Sequence, residues 1–429
     1  MASGARHVAL SMVGNVFPPL AVLVTAPVLA RALSVDGRGD LAAATAPFLL
    51  AVAIGTLGLP DAVTNILARR SYLRWVSWVA LSAALVAAGA ISVLIVWIAS
   101  PLLASGGSAG LAVIMTVATV ATIPALLVAL LRGRAAGLHR WGVIATERTL
   151  NGSLRIVGIL GFALAGNLTL ITATLVSVLG PVLAGLAYVR LARVGGPQGD
   201  ELAATPTRQA FSYGSRAWLS SVAGIILLRI DQLLILPLAG AGQLGLYAVA
   251  VNVSEVPLII NSASREVMFS SDSARNDNER AGVAARTTFL ACLLCAIVVL
   301  APIGWWLPLV FGAEFEGAIP IAIIATAAVI VGVPGSLAGA TLSARGKPEL
   351  RSLSIVVACI ANVVILVPLV LSLGGVGAAI ATLVGNLISS NMCIAFAVKH
   401  FDFRWGNFYY FRIRDLTALS DAIRKILKR

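Results

Sequence analysis

Gly195-Gly196-Pro197-Gln198-Gly199-Asp200-Glu201 is the fullest polar break in a chain that is otherwise a ladder of apolar stretches. Six such stretches precede it, at about 8–32, 41–67, 76–100, 109–131, 143–165 and 168–190. Six follow, at about 212–238, 244–268, 286–311, 317–342, 351–371 and 375–398. Each is long enough to cross a hydrocarbon core of roughly 30 Å as a helix. The break therefore divides about twelve transmembrane helices into two equal halves. An all-α polytopic membrane protein with two six-helix bundles is expected. The boundaries read as a first bundle at 1–192, a linker at 193–209, a second bundle at 210–398 and a tail at 399–429.

Composition supports this reading. The 429 residues are 59% hydrophobic and only 11% charged, which lies outside the range of soluble domains. The net charge of +13 is explained by its distribution. Twenty-seven of the thirty-one Lys and Arg residues fall at alternate connections or in the terminal segments. The intervening connections near 101–110, 166–168, 240–243, 312–317 and 372–376 hold none, and only the one around Arg31 and Arg38 is basic. Positive connections stay on the cytoplasmic side, so both termini are expected in the cytoplasm of a bacterial inner membrane. Residues 8–32 read as a retained first span rather than a cleaved signal, being longer than a signal core. The four cysteines lie inside apolar spans, where they pack as small apolar residues.

Two short matches join the halves. Gly39-Asp-Leu-Ala42-Ala-Ala44 follows the first span and Gly245-Leu-Tyr-Ala248-Val-Ala250 the seventh, 206 residues later. Gly137-Leu-His-Arg140 and Gly346-Lys-Pro-Glu349 follow the fourth and tenth, at an offset of 209. Six is even, so both halves start from the same side. The repeats are then parallel, about a pseudo-two-fold axis along the membrane normal. Prolines inside spans, among them Pro18, Pro19, Pro27, Pro47, Pro60, Pro334 and Pro368, each remove a helical hydrogen bond and permit a kink.

Ionisable residues at membrane depth are costly and are the candidate functional groups. Arg155 lies in the fifth span, Arg229 and Asp231 in the seventh and Glu255 in the eighth. Asp61 lies toward the end of the second, and Arg31 ends the first. Arg229 and Asp231 are two apart and point to different sides of their helix. One reading makes Arg31, Arg155 and Arg229 a cationic lumen for phosphate or acidic sugar, because a guanidinium donates paired hydrogen bonds to an oxyanion. Asp61, Asp231 and Glu255 then couple movement to H+ or Na+, or balance the cations. The other reading is a set of interhelical ion pairs, such as Arg155 with Glu255. The tail combines Phe401, Phe403, Trp405, Phe408, Tyr409, Tyr410 and Phe411 with Arg404, Arg412 and Arg414. Beyond it, Leu416, Leu419, Ile423, Ile426 and Leu427 form one face of a basic amphipathic helix, suited to the anionic inner leaflet. No P-loop motif is present, and the outward connections are too short for a membrane-embedded transferase. No enzyme activity and no bound cofactor are expected.

Three stretches carry a family resemblance: Leu29-Ala-Arg31-Ala-Leu33 with Gly39; Thr56-Leu-Gly-Leu-Pro60 with Asn65 and Arg69; and Arg229-Ile-Asp231-Gln-Leu-Leu-Ile followed by Gly245-Leu-Tyr247-Ala248-Val-Ala250. With the span count and the even division, they resemble polysaccharide flippases of the multidrug/oligosaccharidyl-lipid/polysaccharide exporter superfamily. The resemblance implies two six-helix bundles alternating between inward and outward openings. It implies an undecaprenyl-diphosphate-linked oligosaccharide or a related cell-envelope precursor as substrate. Other polysaccharide-biosynthesis proteins are implied partners, and nucleic acid is not. Alternatives are an ion-coupled small-molecule exporter of the same superfamily, a peptidoglycan-precursor flippase, a major-facilitator-type transporter, and a scaffold recruiting enzymes through its tail.

Overall fold

The structure is a computed structural model that describes residues 2–68, 72–189, 207–275 and 278–410. Arg69, residues 190–192 at the end of the first bundle, linker positions 193–206, Phe411, Arg412, Arg414 and the amphipathic stretch from Leu416 to Leu427 lie outside the described residues. The described chain is helical apart from short connections. Its helices are α1 (Ala2–Gly55), α2 (Leu59–Ala68), α3 (Trp75–Leu103), α4 (Leu111–Val120), α5 (Thr122–Gly137), α6 (Trp141–Leu164) and α7 (Leu170–Ala184). They continue as α8 (Thr207–Arg275), α9 (Asn278–Leu300), α10 (Ile303–Phe311), α11 (Ala318–Ala344), α12 (Pro348–Leu373), α13 (Gly375–Phe401) and α14 (Gly406–Tyr409).

Nine helical segments among the described residues are long and apolar enough to cross a membrane. Two of them are bent pairs: α1 breaks at Ser34 and α8 at Gly240. Helix α6 is of spanning length but carries Glu147, Arg148 and Arg155. Taking each bent helix as two and including α6 gives the twelve spans read from the sequence. Three spans differ from expectation: 41–67 breaks between Gly55 and Leu59, 109–131 breaks at Ala121 between α4 and α5, and 286–311 is also divided. The stretch 286–311 is two helices, α9 and α10, because Pro302 supplies no N–H to continue the ladder.

Chain packing forms two compact units, residues 1–245 and 246–429, which part inside α8 at Gly245. The six-and-six division counts spans and stands as a reading of the sequence. In the first unit, Leu59, Ala62, Val63, Leu81, Leu85, Leu126 and Ala210 form a buried cluster between α2, α3, α5 and the start of α8. In the second, Cys292, Ala296, Val333, Leu337, Ala338, Ile394 and Ala397 join α9, α11 and α13.

The breaks are not at the prolines. Pro18, Pro19, Pro27 and Pro47 all sit within α1, whereas the helical backbone departs at Ser34 (φ 63°, ψ 179°). Gly240 has nearly the same conformation (φ 86°, ψ 172°) exactly one repeat later, 206 residues on. This φ/ψ region is essentially reserved for glycine. Two further pairs match. His139 (φ 54°) and Gly346 (φ 82°) lie 207 residues apart, and Gly166 (φ 69°) and Gly374 (φ 58°) lie 208 apart. His139 and Gly346 close the same helix-ending motif. Arg140 N–H donates to Ala135 O (2.8 Å) and Lys347 N–H to Leu342 O (2.9 Å), each five residues back. The second sequence match is therefore out of register by two: His139, not Gly137, corresponds to Gly346. These matching offsets are consistent with the repeat read from the sequence.

Candidate functional site

In the first unit the two bends face each other at the charge-poor end. A Cβ on Gly39 would overlap the carbonyl oxygen of Ala241, and a Cβ on Gly245 would overlap that of Val35. The contact is reciprocal: each glycine sits over a carbonyl four residues before its counterpart. Absence of side chains is what lets the two backbones approach. The connection between α3 and α4 seals the same place. Ala241 N–H donates to Gly106 O (3.2 Å), and the Asp40 carboxylate accepts from Ser108 N–H (3.3 Å). Asp40 and Arg38 are buried although the sequence places them in an outward connection.

The first arm of α8 is also held at the basic end. Trp218 Nε1–H donates to Ile54 O (2.6 Å), and the hydroxyls of Ser77 and Thr207 lie 2.9 Å apart. Gly58, at φ 67°, lets Gly214 O approach its backbone. The seam between α1–α2 and this arm is therefore closed at both ends.

The predicted site residues fall as follows. Arg155, half-buried on α6, donates from Nε to Thr25 Oγ1 (3.1 Å) on α1 and from Nη1 to Ser177 Oγ (3.5 Å) on α7. Both hydroxyls donate onward to their own helices, Thr25 to Ala21 O (2.8 Å) and Ser177 to Ala173 O (2.8 Å), which turns their lone pairs toward the guanidinium. Asp231 is buried, and its Oδ1 accepts from Gln232 N–H (2.7 Å). Arg229 on the same helix is half-buried. Arg31 and Asp61 are exposed. These five belong to the first unit; Glu255, half-buried, belongs to the second.

A further ionic group was not legible as a site from the sequence. Arg132 on α5 and Glu147 on α6 form a two-pronged pair (Nε–Oε2 3.2 Å, Nη2–Oε1 2.9 Å), joined by the Tyr188 hydroxyl at 3.4 Å. Glu147 is 1% exposed, so its charge depends on this arrangement. The available signal was an acid lying just inside a span between Arg140 and Arg155.

In the second unit a polar level crosses three helices. Asn362 (α12), Thr326 (α11) and Thr382 (α13) hold buried side-chain atoms without hydrogen-bond partners among the described residues. Gly377 packs against Leu369 O, and Gly335 N–H donates to Ser390 Oγ (3.0 Å). That register sets the three residues at similar depth. The described start of the tail, up to Tyr410, is docked on the helices of the second unit. Arg286 Nη1 donates to Asn407 O (2.9 Å), Arg345 stacks on Phe401 and Phe403 (5.4 and 5.0 Å), and Phe403 and Phe408 are buried. No cluster of His, Cys, Asp or Glu among the described residues is arranged to hold a metal ion.

These features define a polytopic helical protein with paired non-helical breaks at Ser34 and Gly240 and several cations within its apolar helices. The family model for polysaccharide biosynthesis proteins matches residues 5–269, so the chain belongs to that family. A relative described as "Probable low-salt glycan biosynthesis flippase Agl15", from Haloferax volcanii, is 26% identical over 182 residues. The match covers 41% of this chain and 39% of the relative, well under half of its length. Among solved structures, "Lipid II flippase MurJ, inward closed conformation" superposes with a TM-score of 0.74 at 14% identity, covering 97% of this chain and 93% of that one. An inward-facing multidrug resistance MATE family transporter of the MOP superfamily gives 0.60 at 15%, covering 91% and 98%. At these identities the likeness establishes the fold alone, the one that these two solved transporters share.

Proposed function

We propose that the chain is a flippase that moves a lipid-linked oligosaccharide, carried on a polyprenyl diphosphate, across the bacterial inner membrane by alternating access. Both termini lie in the cytoplasm in this reading. The observation that carries it is the reciprocal closure of Gly39 and Gly245 beside hinges at Ser34 and Gly240. This seam is backbone on backbone, and it lies next to the two non-helical residues, where the chain can change direction without repacking side chains. Family membership and the name of the Haloferax volcanii relative support a glycan precursor as cargo.

Arg31, Arg155 and Arg229 are the proposed contacts for the phosphates. Supporting this for Arg155, its guanidinium donates to hydroxyls of two other helices. Asp61, Asp231 and Glu255 balance these cations when no substrate is present. For coupling we favour Na+ over H+. Asn362, Thr326 and Thr382 present neutral oxygens in a buried setting, the ligand type a hard cation takes, and none of them titrates. The tail beyond the docked aromatics meets anionic lipid.

The test is reconstitution in liposomes with a fluorescent polyprenyl-diphosphate oligosaccharide. Accessibility of the glycan to an impermeant reagent is followed with and without a Na+ gradient. Protein-dependent flipping supports the reading. Its absence across several glycans and both gradients counts against it.

A further inference from the structure

Arg265 on α8 and Arg351 on α12 are brought together in the second unit by two independent contacts. Asn261, one turn before Arg265, accepts through Oδ1 from the Ser336 hydroxyl on α11 (2.8 Å). One turn beyond Ser336 lies Gly339, and the stem of Arg351 crosses it: a Cβ there would stand 3.2 Å from Cγ and Cδ and 3.3 Å from Nε. Both helices run toward the basic end from that contact, so Arg265 reaches the depth at which Arg351 crosses. Their charges act on one another.

Both side chains are half-buried. Among the described residues, neither makes an ion pair or a side-chain hydrogen bond. Glu349 is two residues before Arg351 on α12 and points to another side of the helix. Cys393, also within electrostatic reach, lies on α13, with Ser354 beside it; neither supplies a carboxylate. Two like charges in a partly dry setting repel, and each guanidinium retains five N–H donors in a planar fork. Among the described residues that combination has no oxygen-rich anionic partner; the side chain of Glu266, next to Arg265, lies outside them.

We propose that Arg265 and Arg351 form a seat for a phosphate or diphosphate group at the basic end of the second unit, distinct from Arg31, Arg155 and Arg229. The seat deepens the flippase reading by giving the lipid-linked diphosphate a first docking point. The same chemistry suits the headgroup of an anionic lipid. Gly339 is the steric condition for it, since a larger residue there displaces the Arg351 stem.

The experiment uses the full chain in nanodiscs of neutral phosphatidylcholine, with melting followed by tryptophan fluorescence. Inorganic pyrophosphate is the soluble probe, and partial replacement of the lipid by phosphatidylglycerol is the headgroup probe. Wild type is expected to melt higher with one or both. Pyrophosphate acting alone identifies a diphosphate seat; phosphatidylglycerol acting alone identifies a lipid headgroup seat. Arg351→Gln is expected to weaken the response by about tenfold or more, the scale of charge-assisted hydrogen bonds. Without probe, Arg265→Glu is expected to melt above wild type, because it supplies the missing counter-charge, and to respond to neither probe. Where Arg351→Gln does not fold, Arg265→Gln replaces it with the same expectation. No response from wild type to either probe overturns the proposal. So does a response that both variants retain, or an Arg265→Glu protein that melts below wild type. Binding is read without transport, so a protein that binds through the pair yet does not flip fails only the flippase reading.

Discussion

Gly39 and Gly245, 206 residues apart, each lie over the backbone carbonyl four residues before the other, Ala241 O and Val35 O. Neither position has room for a Cβ. Gly39→Val is therefore expected to prevent closure at the charge-poor end, because an overlap with backbone has no rotamer that relieves it. Overpacking of this kind costs about 1–3 kcal/mol. The melting temperature should fall, and labelling of a cysteine at Ala241 by an impermeant maleimide should rise several-fold.

The two hinges share a conformation but not a residue. Ser34 occupies a region that costs a side chain about 1–3 kcal/mol, which Gly240 escapes. Ser34→Gly is expected to stabilise the bent state by about 1 kcal/mol. Gly240→Ser is expected to destabilise it by a similar amount. Chemical denaturation of the two variants side by side checks the opposite signs.

Breaking one side of the Arg132–Glu147 pair strands a buried charge. Arg132→Ala is expected to cost about 3–5 kcal/mol. The double change Arg132→Met with Glu147→Leu removes both charges and is expected to recover most of that loss. Thermal melting in a fixed detergent compares them. A double variant as unstable as the single would show that the pair contributes beyond charge compensation.

Arg155 separates charge from geometry. Arg155→Lys keeps the cation but cannot donate to Thr25 and Ser177 together. It is expected to lower flipping by about tenfold, as loss of one charge-assisted bond would, with little change in melting. A large drop in melting with normal flipping would make Arg155 a structural contact of α1, α6 and α7.

The sequence carried the span count because alternation of charge between connections survives any detail of packing. Arg155 and Asp231 could be singled out for a similar reason: an ionisable residue in an apolar run is visible without coordinates. The prolines were visible as places that permit a kink, whereas the backbone departs at Ser34 and Gly240, both in connections between the spans read from the sequence. A proline inside a membrane helix costs one hydrogen bond that the surroundings can tolerate. Ser34 changes the direction of the chain but looks like any small polar residue. The Arg132–Glu147–Tyr188 group was hidden because its members come from three helices, and only packing makes them neighbours. The polar level of Asn362, Thr326 and Thr382 was hidden for the same reason. The tail aromatics look alike in sequence. The structure separates buried Phe403 and Phe408 from exposed Tyr410, a distinction set by where Arg286 and Arg345 reach.

The central claim is that the Gly39–Gly245 closure opens during transport. Asp36 and Gly242 flank it, with the place of a Gly242 Cβ 3.0 Å from Asp36 Oδ1. The decisive measurement joins cysteines at these two positions, in a background with Cys292, Cys295, Cys359 and Cys393 replaced, and follows glycan flipping in liposomes. The account predicts that oxidation stops flipping and that reduction restores it. Flipping that continues at the same rate with the bridge formed would contradict the account.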